Sequence, residues 1–335
     1  MASTFLPSQI LEFASEYSVY SNCILSIIGL LSNILNVLVF IRLKQFRDNR
    51  CVFYFLVESI SNSINEVFTL IVTFVSVIYG NNATNFSLFW CKARYILFQS
   101  TGLVTFSMIC FAACDQFCST NYRINLRQIC TIKLAQYLVF IFILISCLHS
   151  ILFSFFLSIN PLLGCIVINP IWIRYITYFF YPVVSGFFPI VFASLFSLLA
   201  YENVRRVIRR QIPLERRQFD QQITAMVLIR VMLYVILSLP YTIYRVYSIN
   251  INTQQIDLLR SAIERLIQTI FYSISGVTIA VNFYLFLISS SRYRRQVKYV
   301  LKKKYWRPMK TWLYCKKNQI HPDNTILSDN GIELE

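Results

Sequence analysis

Few ionisable residues lie within the apolar stretches of this chain, so those few are where chemistry would reside. Glu58, Glu66, Asp115 and Arg230 each sit in or at the edge of a long apolar run. An ionisable group at such depth is costly and usually takes a partner. Arg230 can pair with Asp115 or Glu58 from neighbouring runs, or it can snorkel to lipid headgroups. Cys114 and Cys118 have the i, i+4 spacing of helical metal ligands. No His or carboxylate cluster completes the set, so packing is the better reading. The only histidines are His149, inside an apolar run, and His321, near the C-terminus. Seven glycines leave little for phosphate-cradling loops, and no P-loop, dinucleotide turn or HExxH is present. The expectation is a protein that is not an enzyme and needs no cofactor and no metal.

The elements that must position these residues are long and apolar. Uncharged runs cover 17–41, 67–90, 95–114, 134–173, 175–201, 231–244 and 266–291. The second extends back through Glu58 and Glu66, and the sixth back through Arg230. A helix rises about 1.5 Å per residue, so roughly 20 residues cross a hydrocarbon layer of about 30 Å. Backbone polar groups cannot stay unpaired in lipid, so the spans are predicted as helices. The expected fold is an all-α membrane protein, a seven-transmembrane helix bundle. With 56% hydrophobic and only 14% charged residues, the composition agrees.

The net charge of +16 raises the question of nucleic acid, and its placement answers it. Arginine and lysine crowd every second gap: Arg42 to Arg50, Arg123 to Lys133, Arg205 to Arg217, and Arg292 to Lys317. Positive loops stay in the cytoplasm. The N-terminus is therefore expected outside and the C-terminus inside, with the basic loops on anionic inner-leaflet lipid and no nucleic-acid partner. No basic n-region or cleavage site marks a removable signal peptide, so the first span is expected to target itself. Asn82-Ala-Thr84 and Asn85-Phe-Ser87 are sequons in a gap the charge rule puts outside. Of ten cysteines, only Cys91 and Cys165 fall at outside positions, where they can form a disulfide. The organisation expected is a short extracellular N-terminus (1–19), a seven-span domain (20–291), an amphipathic surface helix (292–306) and a disordered cytoplasmic tail (307–335).

A series of motifs in order then resembles the rhodopsin-like (class A) G-protein-coupled receptors, closest in flavour to invertebrate peptide-receptor-like and orphan members. The series begins with Ser32-Asn33-Ile-Leu-Asn36 in span one and Asn62 in span two. Asp115-Gln116-Phe117 follows, with Gln116 placed 25 residues after Cys91, the family's register for its Asp-Arg-Tyr motif. Phe188-Pro189, Leu239-Pro240-Tyr241 and Asn282-Phe283-Tyr284-Leu285-Phe286 complete it. The resemblance runs from about Tyr20 to Tyr305. It implies an activation switch built from Asn33, Asn62, Asp115, Gln116, Arg230, Pro240, Asn282 and Phe286, with Pro189 and Pro240 kinking their helices.

Several switch groups depart from the pattern. Gln116 stands for the arginine, Asn62 for the sodium-binding aspartate, Ser238 for the usual tryptophan and Ser197 for a tyrosine. Phe283 and Phe286 replace proline and tyrosine. Arg230, ten residues before Pro240, is expected to supply the cation that Gln116 cannot.

Phe98 lies where amine receptors keep an aspartate, and span seven has no lysine, which argues against amine and retinal ligands. Glu66, Arg94, Phe98, Tyr241, Arg245 and Tyr272 are the candidate pocket, suited to a short peptide or a polar small molecule. The resemblance implies a plasma-membrane receptor for an extracellular ligand, partnered by a heterotrimeric G protein. A non-signalling decoy and a seven-span chemosensory ligand-gated channel are the alternatives.

Overall fold

The computed structural model describes residues 2–42, 49–79, 87–160, 164–207, 214–250, 258–300 and 302. Its helices in chain order are α1 (Ala2–Arg42), α2 (Arg50–Tyr79), α3 (Leu88–Thr120), the short α4 (Ile124–Ile129) and α5 (Ile132–Ser154). A rod from Pro170 to Val207 comprises α6 (Pro170–Tyr175), a π-helical stretch (Ile176–Phe187) and α7 (Phe188–Val207). Then come α8 (Leu214–Asn250), α9 (Leu258–Ala280), α10 (Asn282–Ser289) and α11 (Ser291–Tyr299). Among the described residues, six helices are long and apolar enough to cross a membrane. A seventh crossing results if α9 and α10, bent by 53° at their junction, are one span.

The bundle is apolar outside and carries polar groups within its apolar core. Ile24, Phe74, Phe140, Ile236 and Ile288 are exposed, while Ser32, Asn33, Asn36, Glu58, Asn62, Arg230 and Asn282 are buried. A water-soluble fold has the reverse bias. This is a multi-pass helical membrane protein. Phe40, Phe55, Met108, Ile109, Tyr234, Phe286 and Tyr293 form the central core.

Local sequence explains where the helices start. Ser87 accepts from the Trp90 amide, Thr131 from Leu134, Asn169 from Ile171 and Ser290 from Tyr293, each satisfying a first-turn amide. Pro170 occupies the first turn of α6, where its missing N–H costs nothing.

The observed boundaries differ from the expected ones in three places. Helix α1 begins at Ala2, so the segment expected as a separate N-terminal extension continues the first helix; its Pro7 and Ala14 are buried. Its 41 residues reach roughly 60 Å, about twice the hydrocarbon thickness. The uncharged run 134–173 is not one element. Helix α5 ends at Ser154, and an antiparallel hairpin follows, β1 (Leu157–Asn160) and β2 (Gly164–Val167), in register Leu157↔Val167. Asn-Pro at 160–161 and 169–170 punctuates that run. A helix covers Ser291–Tyr299 of the stretch expected as a surface helix over 292–306, with Tyr293 and Val297 buried; residues 303–306 lie outside the described residues. The tail 307–335 lies outside the described residues, as do Asn82 and Asn85.

Twelve residues of π-helix are unusual, and Pro182, which cannot donate, sits within them. Pro189 follows where α-helical pairing resumes, and Pro240 lies inside the continuous α8. Gly186 faces α8 at close range. A Cβ there would lie 2.7 Å from Thr242 Cγ2 and 2.7 Å from the Tyr181 carbonyl oxygen.

Candidate functional site

Three polar layers cross the bundle. The central one is built around a break. The bend between α9 and α10 leaves backbone groups without helical partners. Helix α1 satisfies two of them: Asn33 Nδ2 donates to the Ile279 carbonyl at 3.1 Å, and the Phe283 amide donates to Ser32 Oγ at 3.0 Å. Asn62 Nδ2 reaches Asn33 Oδ1 at 3.5 Å, and Thr105 donates to Asn62 Oδ1 at 2.8 Å. The Asn33 and Asn62 positions therefore knit α1, α2, α3 and α9 together. One turn further, Tyr293 donates to Asn36 Oδ1 at 2.6 Å, and its ring packs on Phe40 and Phe286. Burial holds the Tyr293 phenol well above its ordinary range, which keeps it a donor.

The same break turns Asn282 toward a buried ion pair. Arg230 Nη2 and Nε donate to Glu58 Oε1 at 2.6 and 3.0 Å, and Asn282 Nδ2 donates to the same oxygen at 3.0 Å. Both charged side chains are 1% exposed. Arg230 Nη1 and Asn282 Oδ1 have no protein hydrogen-bond partner. The three residues tie α8 to α2 and to the start of α10. Of the two acids within reach of Arg230 by sequence, the partner is Glu58.

Asp115 belongs to the next layer, toward the end of the bundle where α2 starts. Arg50 Nε lies 3.3 Å from its Oδ1. The Cys51 thiol lies within reach of Asp115 Oδ2 at 3.4 Å and of Gln116 Oε1 at 3.2 Å. Gln116 Nε2 donates to Thr224 Oγ1 at 2.6 Å, so a neutral hydrogen bond links α3 to α8 here. Asn49, Arg50, Cys51, Asp115, Gln116, Ser119 and Arg127 line a polar cleft that opens at this end. Nearby, burial first and the Asp115 charge second push the Cys130 thiol up to about 12. A thiol so held is a poor metal ligand, and no metal-holding cluster of His, Cys, Asp or Glu occurs among the described residues.

The third layer is at the opposite end. Cys91 and Cys165 form a disulfide with a Cα–Cα distance of 5.8 Å, tying β2 to α3. Phe153, Leu157, Tyr95 and Trp172 pack around it. Five of the candidate pocket residues, Arg94, Phe98, Tyr241, Arg245 and Tyr272, lie along a run of aromatic contacts beside this lid. Arg94 lies over Phe98 at 6.0 Å, and Phe98 meets Phe68 edge-on at 5.4 Å. Tyr272 neighbours both Arg94 and Glu66, and packs on Tyr241 at 5.9 Å. Arg245 lies beside Tyr241 and stacks on Tyr181 at 4.2 Å. Glu66 is withdrawn from the cup, hydrogen-bonded to Ser26 and pressed against Gly29.

Tyr181 and Tyr95 are absent from the sequence-based candidates. Neither stands out, because an aromatic in an apolar span reads as core. A further set joins α3, α5 and α6. Gln99 donates to His149 Nδ1 at 3.0 Å, which leaves the neutral ring's proton on Nε2, 2.8 Å from the Tyr175 hydroxyl. The signal for it is His149 itself, a lone polar ring in an apolar run.

No protein-family model matches this chain, and no curated protein matches it. Its functional reading therefore rests on its own residues and their geometry.

Proposed function

We propose that this chain is a plasma-membrane receptor of the rhodopsin-like, G-protein-coupled kind. Its seven spans run from an outside N-terminus to an inside C-terminus. It binds an extracellular short peptide or polar small molecule at the disulfide end and engages a heterotrimeric G protein at the arginine-rich end. One observation carries this reading. Asn33, Asn62, Arg230 and Asn282, far apart in sequence, share one buried polar layer between the lidded aromatic cup and the Asp115–Gln116 cleft. A layer that joins α8 and α10 to α1 and α2 can relay a shift at one end to the other.

The charge pattern supports the orientation. The disulfide closes the end remote from Arg42, Arg50 and Arg205, and disulfides persist outside the reducing cytosol. The departure at Gln116 bears on coupling, because its amide is spent on Thr224 and carries no charge.

The test is G-protein activation in cells expressing the native chain and Gln116→Arg at matched surface levels. Basal or ligand-evoked activation by the native chain is the expected result. Silence restored by Gln116→Arg would indicate a decoy, and silence from both would favour the channel.

A further inference from the structure

The cup at the disulfide end holds two guanidinium groups without acids. Ion pairs among the described residues join Arg50 to Asp115, Arg206 to Glu202, Arg230 to Glu58 and Arg260 to Glu264. Arg94 and Arg245 are in none of them. Glu66, which shares Tyr272 as a neighbour with Arg94, is turned toward Ser26 on α1.

Two buried polar atoms sit together in the same place. Arg245 Nε has no hydrogen-bond partner, and neither has the hydroxyl of Tyr95, which lies beside Arg245 and Tyr181 without a well-formed bond to either. Buried donors left unpaired in a well-packed region call for an acceptor. The stacking geometry says what kind. With its carbon 4.2 Å from the Tyr181 centroid, the Arg245 guanidinium packs against the ring. Its Nε, though buried, makes no hydrogen bond, and the Nε edge of a guanidinium is a two-donor fork. That edge matches the two oxygens of a carboxylate.

Two further buried donors lack partners: Trp90 Nε1, whose ring packs on Phe68 at the start of the aromatic chain, and Ser158 Oγ on β1. A simple hydrocarbon acid offers them nothing, whereas peptide carbonyls do.

Resting on the receptor reading above, we infer that the ligand is acidic: a carboxylate, as at the free C-terminus of a short peptide, seated on Arg245 with Tyr95 as second donor. Its apolar body lies on Tyr241, Tyr272 and Phe98, and Arg94 adds a second positive charge to the cup.

The experiment uses the full chain in phosphatidylcholine nanodiscs, which carry no net lipid charge. Thermal unfolding is followed with two pools of tetrapeptides ending in apolar or aromatic residues, one pool as free acids and the other as C-terminal amides. Oleate is a third arm. The free-acid pool is expected to raise the unfolding temperature by at least about 3 °C. The amides should not, and Arg245→Gln should weaken the response at least about thirtyfold in concentration. Tyr95→Phe, which keeps the ring, should weaken it less.

Equal stabilisation by acids and amides, full retention in Arg245→Gln, or no stabilisation by any acid overturns the inference. Stabilisation by oleate alone keeps the carboxylate site and rejects the peptide. This readout needs no G protein. A stabilising acid that evokes no activation in cells counts against the receptor reading alone, and activation by an amidated peptide counts against the acid site alone.

Discussion

Replacing Arg230 with Gln removes the cation from a pair whose two members are each 1% exposed. Glu58 then keeps Asn282 as its neutral partner and loses both guanidinium bonds, at 2.6 and 3.0 Å. Breaking a buried pair by removing one partner costs about 3–5 kcal/mol. Arg230 is on α8, and Glu58 is on α2, so outward movement of α8 would separate them and let water reach both. The cost therefore falls mainly on the closed arrangement. Suppose only about 2 kcal/mol is specific to it, and the open form is populated at about 1%. A shift of that size raises the open population to roughly a quarter. The assay is basal G-protein activation at matched surface expression, with Glu58→Gln and the double variant beside it. Each single variant should raise basal activity. The double variant should fall short of their sum, with a coupling of about 1.5 kcal/mol or more. Unchanged basal activity in a well-expressed Arg230→Gln chain, or strict additivity in the double variant, would refute the argument.

Other consequences are open to simpler measurements. Gly186→Ala places a methyl 2.7 Å from Thr242 and from the Tyr181 carbonyl. The overpacking should cost about 1–3 kcal/mol and lower the unfolding temperature, and Thr242→Ser should restore only part of it, because the carbonyl stays. Cys165→Ser frees the hairpin from α3 and should cost about 2–4 kcal/mol, read as thermal stability in nanodiscs and as loss of surface expression. Asn82→Gln and Asn85→Gln should each remove a glycosidase-sensitive increment of gel mobility; a native chain insensitive to the glycosidase would count against the outside placement of that loop.

Much of this architecture is legible in the sequence because lipid imposes few choices. An uncharged run that crosses lipid must pair its own backbone groups, and a helix does so within one segment. Residues that break such a run, Glu58 and Arg230 above all, can then be singled out by depth. Choosing between Glu58 and Asp115 is a different matter. It depends on Arg50, which starts α2 one residue before Cys51 and already occupies Asp115. That is a relation between helices, invisible to a count along one of them.

The hairpin is hidden for a related reason. Its residues are as apolar as the helix before it, and only the Asn-Pro steps mark the change. The π-helical stretch has no sequence signature beyond Pro182 and Gly186. Through it, Tyr181 reaches Arg245, so the cup's central contact is the one the sequence conceals. Arg94, Phe98, Tyr241, Arg245 and Tyr272 stand out in the sequence as charge and aromatic character at one end of successive spans, whereas the turn of Glu66 toward Ser26 on α1 does not.

The patch on the broken helix also bears on how the chain is made. Ser32, Asn33 and Asn36 are fully buried at 0% exposure, and their partners are Phe283, Ile279 and Tyr293, synthesised some 250 residues later. Until α9, α10 and α11 arrive, Ser32 and Asn36 lack these partners, and Asn33 has only Gly29 of its own helix and Asn62 of α2. A nascent or truncated chain thus carries on α1 a mark of incompleteness that its last helices erase.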